Sequence, residues 1–155
     1  MSDTAVAPRP GLVLIGAGWA ATALFAVTAG AASIRLIWWF QAPALVVALG
    51  LFGLGTVAML SGFLSAVTRS RRDIISVGGL FFGSGSAPVW VRGHLLGVTG
   101  LQVVIGVATA SIRPFTTLAF GTLVPVFGLG LMCLWTARFG VFPQRPGSNA
   151  PDLTN

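Results

Sequence analysis

The densest group of chemically active side chains in this sequence is basic. Arg69, Arg71 and Arg72 stand almost side by side, Asp73 follows directly, and Arg92 lies further along. Arginines beside an apolar segment attract the head groups of an anionic leaflet, with about 1 kcal/mol for each one. We interpret these arginines first as topology determinants with ordinary lipid contact. A docking site for an acidic surface of a cytoplasmic partner is the alternative.

No other group of residues has the composition of an active site. His94 is the only histidine, and two of the three acids, Asp3 and Asp152, lie in the terminal tails, so a metal site is not expected. The stretch Gly83–Ser86 lacks the lysine of a phosphate-binding loop, and no serine has a His/Asp pair to activate it. The sequence therefore predicts no enzyme, no cofactor and no metal.

Two further side chains, Gln102 and Cys133, lie inside apolar segments. The amide of Gln102 needs a hydrogen-bond partner at that depth, and an interhelical bond is preferred over a ligand contact. Cys133 is the only cysteine, and an apolar setting disfavours its thiolate, so we interpret it as a packing residue.

The elements that carry these residues follow from the charge pattern. Only 8% of the 155 residues are charged, and the mean hydropathy is +0.91, whereas soluble domains carry about 25% charged residues. The nine arginines separate four uncharged windows, each able to hold the ~20 apolar residues of a membrane span. We expect an all-α, integral membrane four-helix bundle, with helices at about 12–33, 44–67, 95–112 and 115–137. Pro125 is expected to interrupt the fourth helix near Gly121.

The arginines also predict orientation. With four spans, one side of the membrane would hold seven arginines: Arg9, Arg69, Arg71, Arg72, Arg92, Arg138 and Arg145. The other side would hold only Arg35 and Arg113. The positive-inside rule then places both termini, the loop 68–94 and the tail 138–155 in the cytoplasm, for a multi-pass protein of the plasma membrane. The sequence pI near 11.9 thus reflects topology and lipid contact rather than nucleic-acid binding.

The stretch Ile74–Val91 is a fifth uncharged window within this loop. If it spanned, the arginine split would fall from seven against two to five against four. Its Gly/Ser/Pro break at 83–88 would also leave backbone groups unpaired in lipid. We expect an interfacial or a re-entrant segment instead.

The sequence repeats two short motifs in the same order. Ala-Ser-Ile-Arg occurs at 32–35 and at 110–113, and Phe-Gly-Leu-Gly occurs at 52–55 and at 127–130, with offsets of 78 and 75 residues. This pattern suggests two tandem helical hairpins related by a pseudo-two-fold axis along the membrane normal.

Small residues form ridges at four-residue spacing. Gly18, Thr22, Ala26 and Gly30 form one such ridge in the first helix. Close backbone approach at small residues drives helix association in lipid, so the ridge serves either packing inside the bundle, the preferred interpretation, or contact with a partner's helix.

The paired tryptophans Trp38 and Trp39 follow Arg35 at the opposite side of the membrane from the arginine cluster. Such pairs are typical of the aromatic belt at the membrane surface. A contact with a partner protein is equally compatible with the sequence.

Three stretches carry a resemblance: Phe81–Pro88, Val91–Gly97 and Arg113–Pro125. They resemble small actinobacterial multi-pass proteins, and among these the chain is similar in size and helix count to accessory subunits of Mce lipid importers, of the lipid uptake coordinator B type. The resemblance implies a non-catalytic subunit docked against the permease of a lipid transporter, with a separate ATPase supplying energy. It assigns no role to individual residues.

The leading hypothesis is a structural or regulatory subunit of a multi-subunit membrane complex, most specifically a lipid transporter. Its partners would be permease-like membrane subunits and anionic lipids. An auxiliary subunit of a respiratory complex and an autonomous small transporter are the alternatives. Transporters usually keep a charged group within the membrane, and the predicted helix interiors have none.

Overall fold

The computed structural model describes residues 11–34, 37–112 and 114–144. Their elements, in chain order, are α1 (Leu12–Ile34), α2 (Trp38–Arg69), α3 (Val77–Phe82), α4 (Val89–Ile112), a 3-10 helix (Thr117–Leu123) and α5 (Pro125–Phe139). Within the described residues, α1, α2, α4 and the combined stretch Thr117–Phe139 are long and apolar enough to cross a membrane. The predicted all-α four-helix bundle is confirmed. Arg9, Arg35, Arg113 and Arg145, which entered the orientation argument, lie outside the described residues.

Two helices begin earlier than the sequence predicted. α2 begins at Trp38 rather than at residue 44 and continues through Pro43. The proline removes only the hydrogen bond that the Trp39 carbonyl would accept, so the helix tolerates it near its start. α4 begins at Val89 rather than at residue 95, directly after Pro88, whose carbonyl accepts a bond from the Arg92 N–H at 3.1 Å.

The fourth span changes helix type where its proline predicts an interruption. The 3-10 helix ends at Leu123, and the Val124 N–H bonds the Gly121 carbonyl at 3.2 Å. Pro125 has no N–H to continue an α-helical ladder from Gly121, so α5 starts anew with this proline in its first turn. The predicted interruption is confirmed.

Corresponding helices of the two hairpins lie side by side and run parallel. Between α2 and α5, Gly55 meets Phe127 and Gly62 meets Leu134, so both residue numbers rise together. Between α1 and α4, Gly18 meets Val98 and the side chains of Thr22 and Gln102 are hydrogen-bonded.

This arrangement differs from the expected two-fold axis. A two-fold axis along the membrane normal would place α1 beside α5 and α2 beside α4. Instead, α1 packs on α4 as well as on α2, and α2 packs mainly on α5, so the second hairpin is stacked on the first in the same sense. The difference lies in the contact between α1 and α4, where Gly18 lets Val98 approach and Thr22 is hydrogen-bonded to Gln102, because a two-fold axis through the α2–α5 contact would hold these two helices apart.

α5 is the central helix of the bundle. Just over half of its span is buried, 56%, against 28% for each of the other three spans. Its buried residues include Trp135, Met132 and Cys133. Cys133 therefore packs inside the bundle, as the sequence suggests.

α3 closes one end of the bundle against α5. The Ser76 side chain accepts a bond from the Gly79 N–H, and Gly83 ends the helix with a left-handed φ of 62°. The Thr136 hydroxyl donates to the Leu80 carbonyl at 2.6 Å, and the Ser86 hydroxyl donates to the Gly79 carbonyl at 2.6 Å. Six residues rise about 9 Å, too short for a bilayer, so Ile74–Val91 forms no fifth span.

Candidate functional site

The arginine cluster at the end of α2 has two parts with different surroundings. Arg69 turns inward, and its guanidinium donates to the carbonyls of Ala137 at 2.9 Å and Gly140 at 3.2 Å. It also pairs with the Asp73 carboxylate at 3.1 Å and lies 5.4 Å from the ring centre of Phe142. These carbonyls end α5 and have no further helical N–H to accept, so Arg69 caps that helix.

Arg71 and Arg72 are exposed. Asp73 does not neutralise them, because its carboxylate is only 16% exposed and is bonded by Arg69. Among the described residues neither forms an ion pair. Within the group Arg69, Arg71 and Arg72, the side chains open to lipid or a partner are therefore Arg71 and Arg72, while Arg69 holds α2 and α5 together.

Arg92 lies at the same end of the bundle, on the first turn of α4, and is exposed. Two residues further along, the His94 ring stands edge-on between Trp19 of α1, at 6.3 Å, and Trp90, at 6.4 Å. This aromatic group joins α1 to the start of α4. No group of three His, Cys, Asp or Glu residues lies together in the part of the chain that the structure describes.

Trp38 and Trp39 open α2 at the opposite end of the bundle and are 64% and 81% exposed. An aromatic belt and a partner contact both require this exposure. Both interpretations of the pair stand.

The small-residue ridge of α1 is divided between the inside and the outside of the bundle. Gly18 is buried, and a Cβ at this position would lie 3.3 Å from Leu131 and 3.5 Å from Val98. Gly30 has no neighbour within 4 Å of a Cβ built there. Gly18 therefore serves internal packing, and a partner does not reach it; of the two glycines, only Gly30 is open.

α4 carries an outward glycine ridge. The four-residue spacing of Gly93 and Gly97 predicts a small-residue ridge at the start of the third helix, but it does not predict the outward direction or the contribution of Gly100. Gly93, Gly97 and Gly100 are exposed, and a Cβ built at any of them meets nothing within 4 Å. At 100° per residue they stand opposite the buried positions of the same helix, such as Leu95 and Val98.

Comparison of the chain with protein-family models, curated proteins and solved structures gives no significant match. Its function is therefore argued from its own geometry.

Gln102 is fully buried within the spans, as is Thr136 of α5. Its Nε2 donates to the Thr22 hydroxyl at 2.9 Å, and that hydroxyl donates to the Gly18 carbonyl at 2.8 Å. The expected interhelical bond is confirmed. The Gln102 Oε1 has no partner within the described residues.

The change Gln102→Met is expected to alter the free energy of unfolding by less than about 1 kcal/mol. Interhelical hydrogen bonds in membrane proteins average about 0.6 kcal/mol, and the change also removes an unpaired buried oxygen. Thermal unfolding of the detergent-solubilised protein measures it. A loss above about 2 kcal/mol would show that the amide does more than join α1 to α4.

Proposed function

We propose that this chain is a non-catalytic accessory subunit of a multi-subunit membrane complex and docks through the outer face of α4. The outward ridge of Gly93, Gly97 and Gly100 carries the proposal. Glycine inside a helix costs roughly 0.5–1 kcal/mol relative to alanine, and these three contribute no packing to the bundle itself.

A partner helix could pack closely against the ridge. Lipid tails are as apolar as leucine, so helices in a bilayer associate through van der Waals packing and weak hydrogen bonds rather than through the hydrophobic effect. Glycines at spacings of four and three residues lie on one side of a helix and let a second backbone approach closely.

The more specific form of the proposal is a subunit of a bacterial lipid transporter in the plasma membrane, with a permease-like partner. Two resemblances support it: Phe81–Pro88, Val91–Gly97 and Arg113–Pro125 resemble small actinobacterial multi-pass proteins, and the chain is similar in size and helix count to accessory subunits of Mce lipid importers. The arginine distribution supports cytoplasmic termini. Buried polar groups of the spans are few and engaged in joining helices, which favours a subunit over an autonomous transporter.

The double change Gly97→Leu and Gly100→Leu is expected to abolish the complex while the isolated chain stays folded. Both leucines extend into open space in this chain but would collide with a docked helix. The measurement is the fraction of tagged protein that migrates in a larger complex on a native gel of mildly solubilised membranes.

Gly16→Leu is the matched control, because Gly16 of α1 is equally open. It should leave the complex intact. If the double variant also assembles as the wild type does, the α4 ridge is not the docking face.

A further inference from the structure

A groove runs between the last turns of α2 and the short helix α3. Phe63, Val67 and Ser70 line one wall, and Val77 and Leu80 line the other. Its volume is about 160 Å³. From Phe63 to Ser70 it extends about 10 Å along α2, at 1.5 Å per residue, and nearly all of its lining is apolar.

Two exposed arginines follow the α2 wall of the groove along the chain. Ser70, at the end of its α2 wall, is followed directly by Arg71 and Arg72. Both arginines are exposed, and Asp73, the one carboxylate near them among the described residues, is bonded by Arg69. An apolar slot therefore ends at a site that favours an anion.

We propose that this groove holds part of one acyl chain of an anionic phospholipid, with the lipid phosphate on Arg71 and Arg72. Guanidinium groups form charge-assisted, often bidentate bonds to phosphate. The groove fits an acyl chain, but apolar contact alone would not select one lipid from those surrounding the protein. The two arginines would select a lipid with an anionic head group.

Charge favours an anionic lipid over an apolar partner helix, because Arg71 and Arg72 directly follow the α2 wall of the groove and form no ion pair within the described residues. The site lies at the end of the bundle that holds Arg92 and Arg138 as well, where the positive-inside rule places the anionic cytoplasmic leaflet. This inference does not depend on the α4 docking face.

The test titrates the purified full chain, in a mild non-ionic detergent, with phosphatidylglycerol and with phosphatidylcholine, and counts bound lipid by native mass spectrometry. We expect one tightly bound phosphatidylglycerol per chain and an affinity for phosphatidylcholine that is lower by at least about tenfold. The double change Arg71→Gln and Arg72→Gln should lower the affinity for phosphatidylglycerol by about tenfold or more, because it removes two positive charges next to one phosphate.

Arg92→Gln with Arg138→Gln is the matched control, since it removes the same charge from the same end and should change the affinity little. Equal losses in both double variants would show general charge attraction and overturn the site. Val67→Trp fills the groove from an exposed position and should also release the lipid. If Val67→Trp still binds phosphatidylglycerol as the wild type does, the acyl-chain assignment is wrong. The proposal is also wrong if the double arginine variant keeps its lipid and instead loses a membrane subunit that co-purifies with the wild type.

Discussion

Leucine in place of Gly55 is expected to lower the free energy of unfolding by about 3 kcal/mol or more. A Cβ at this position would lie 2.5 Å from the Phe127 Cα and 2.6 Å from the Phe127 nitrogen. Both are backbone atoms of the central helix, so no side chain can rotate away to make room. The α5 side of this contact is equally tight, since a Cβ at Gly130 would collide with the carbonyl oxygen of Gly55.

Gly53→Leu is the control for this change, because Gly53 lies on the same helix and a Cβ there meets nothing within 4 Å. The thermal midpoint of the detergent-solubilised protein, followed by tryptophan fluorescence, should fall for Gly55→Leu and stay within about a degree or two of wild type for Gly53→Leu. Equal midpoints would show that α2 and α5 do not approach at Gly55 in the membrane protein.

The change Arg69→Gln is expected to cost about 2–3 kcal/mol of stability. An exposed ion pair is worth at most about 1 kcal/mol, so the pair with Asp73 is the smaller part. The larger part comes from the carbonyls of Ala137 and Gly140, which lose a charged donor at the end of α5. Arg69→Lys should restore little, because an ammonium cannot span both carbonyls and the carboxylate as the planar fork does.

Arg71→Gln is the matched control and should change stability by less than about 0.5 kcal/mol. Its side chain is exposed and forms no ion pair within the described residues. Thermal unfolding and monodispersity on size-exclusion chromatography measure both variants. If the Arg69 and Arg71 variants unfolded alike, Arg69 would not clamp α2 to α5.

The span count was predictable because arginine is costly inside a bilayer, and its positions therefore mark where helices can end. Pro125 was equally informative, since a missing N–H has one local consequence whatever surrounds it. The starts of α2 and α4 were less predictable. Whether a helix continues past Pro43 depends on one hydrogen bond near its end, which composition does not determine.

The neighbours of each helix could not be derived from sequence. The repeated Phe-Gly-Leu-Gly motif indicated that α2 and α5 correspond, yet it did not indicate that Gly55 and Gly130 meet. Small residues point inward or outward according to which helices are adjacent. For the same reason Gly18 and Gly30 shared one ridge in the sequence but differ in the structure.

The candidate site shows the same limit. The sequence indicated the arginine cluster as the main chemical feature but did not distinguish its members. Arg69 differs from Arg71 only because the end of α5 lies beside it, a contact across 68 residues of chain. The groove beside Ser70 likewise requires α3 to fold back on α2.

The proposed function predicts that this chain does not act alone. The most direct measurement is purification of the tagged wild-type protein from its native membrane in mild detergent, with quantitative mass spectrometry of what co-elutes. The proposal predicts stoichiometric recovery of a permease, its ATPase and lipid-binding subunits. Recovery of respiratory subunits would contradict the lipid-transport assignment, and a lone, monodisperse protein would contradict the subunit role itself.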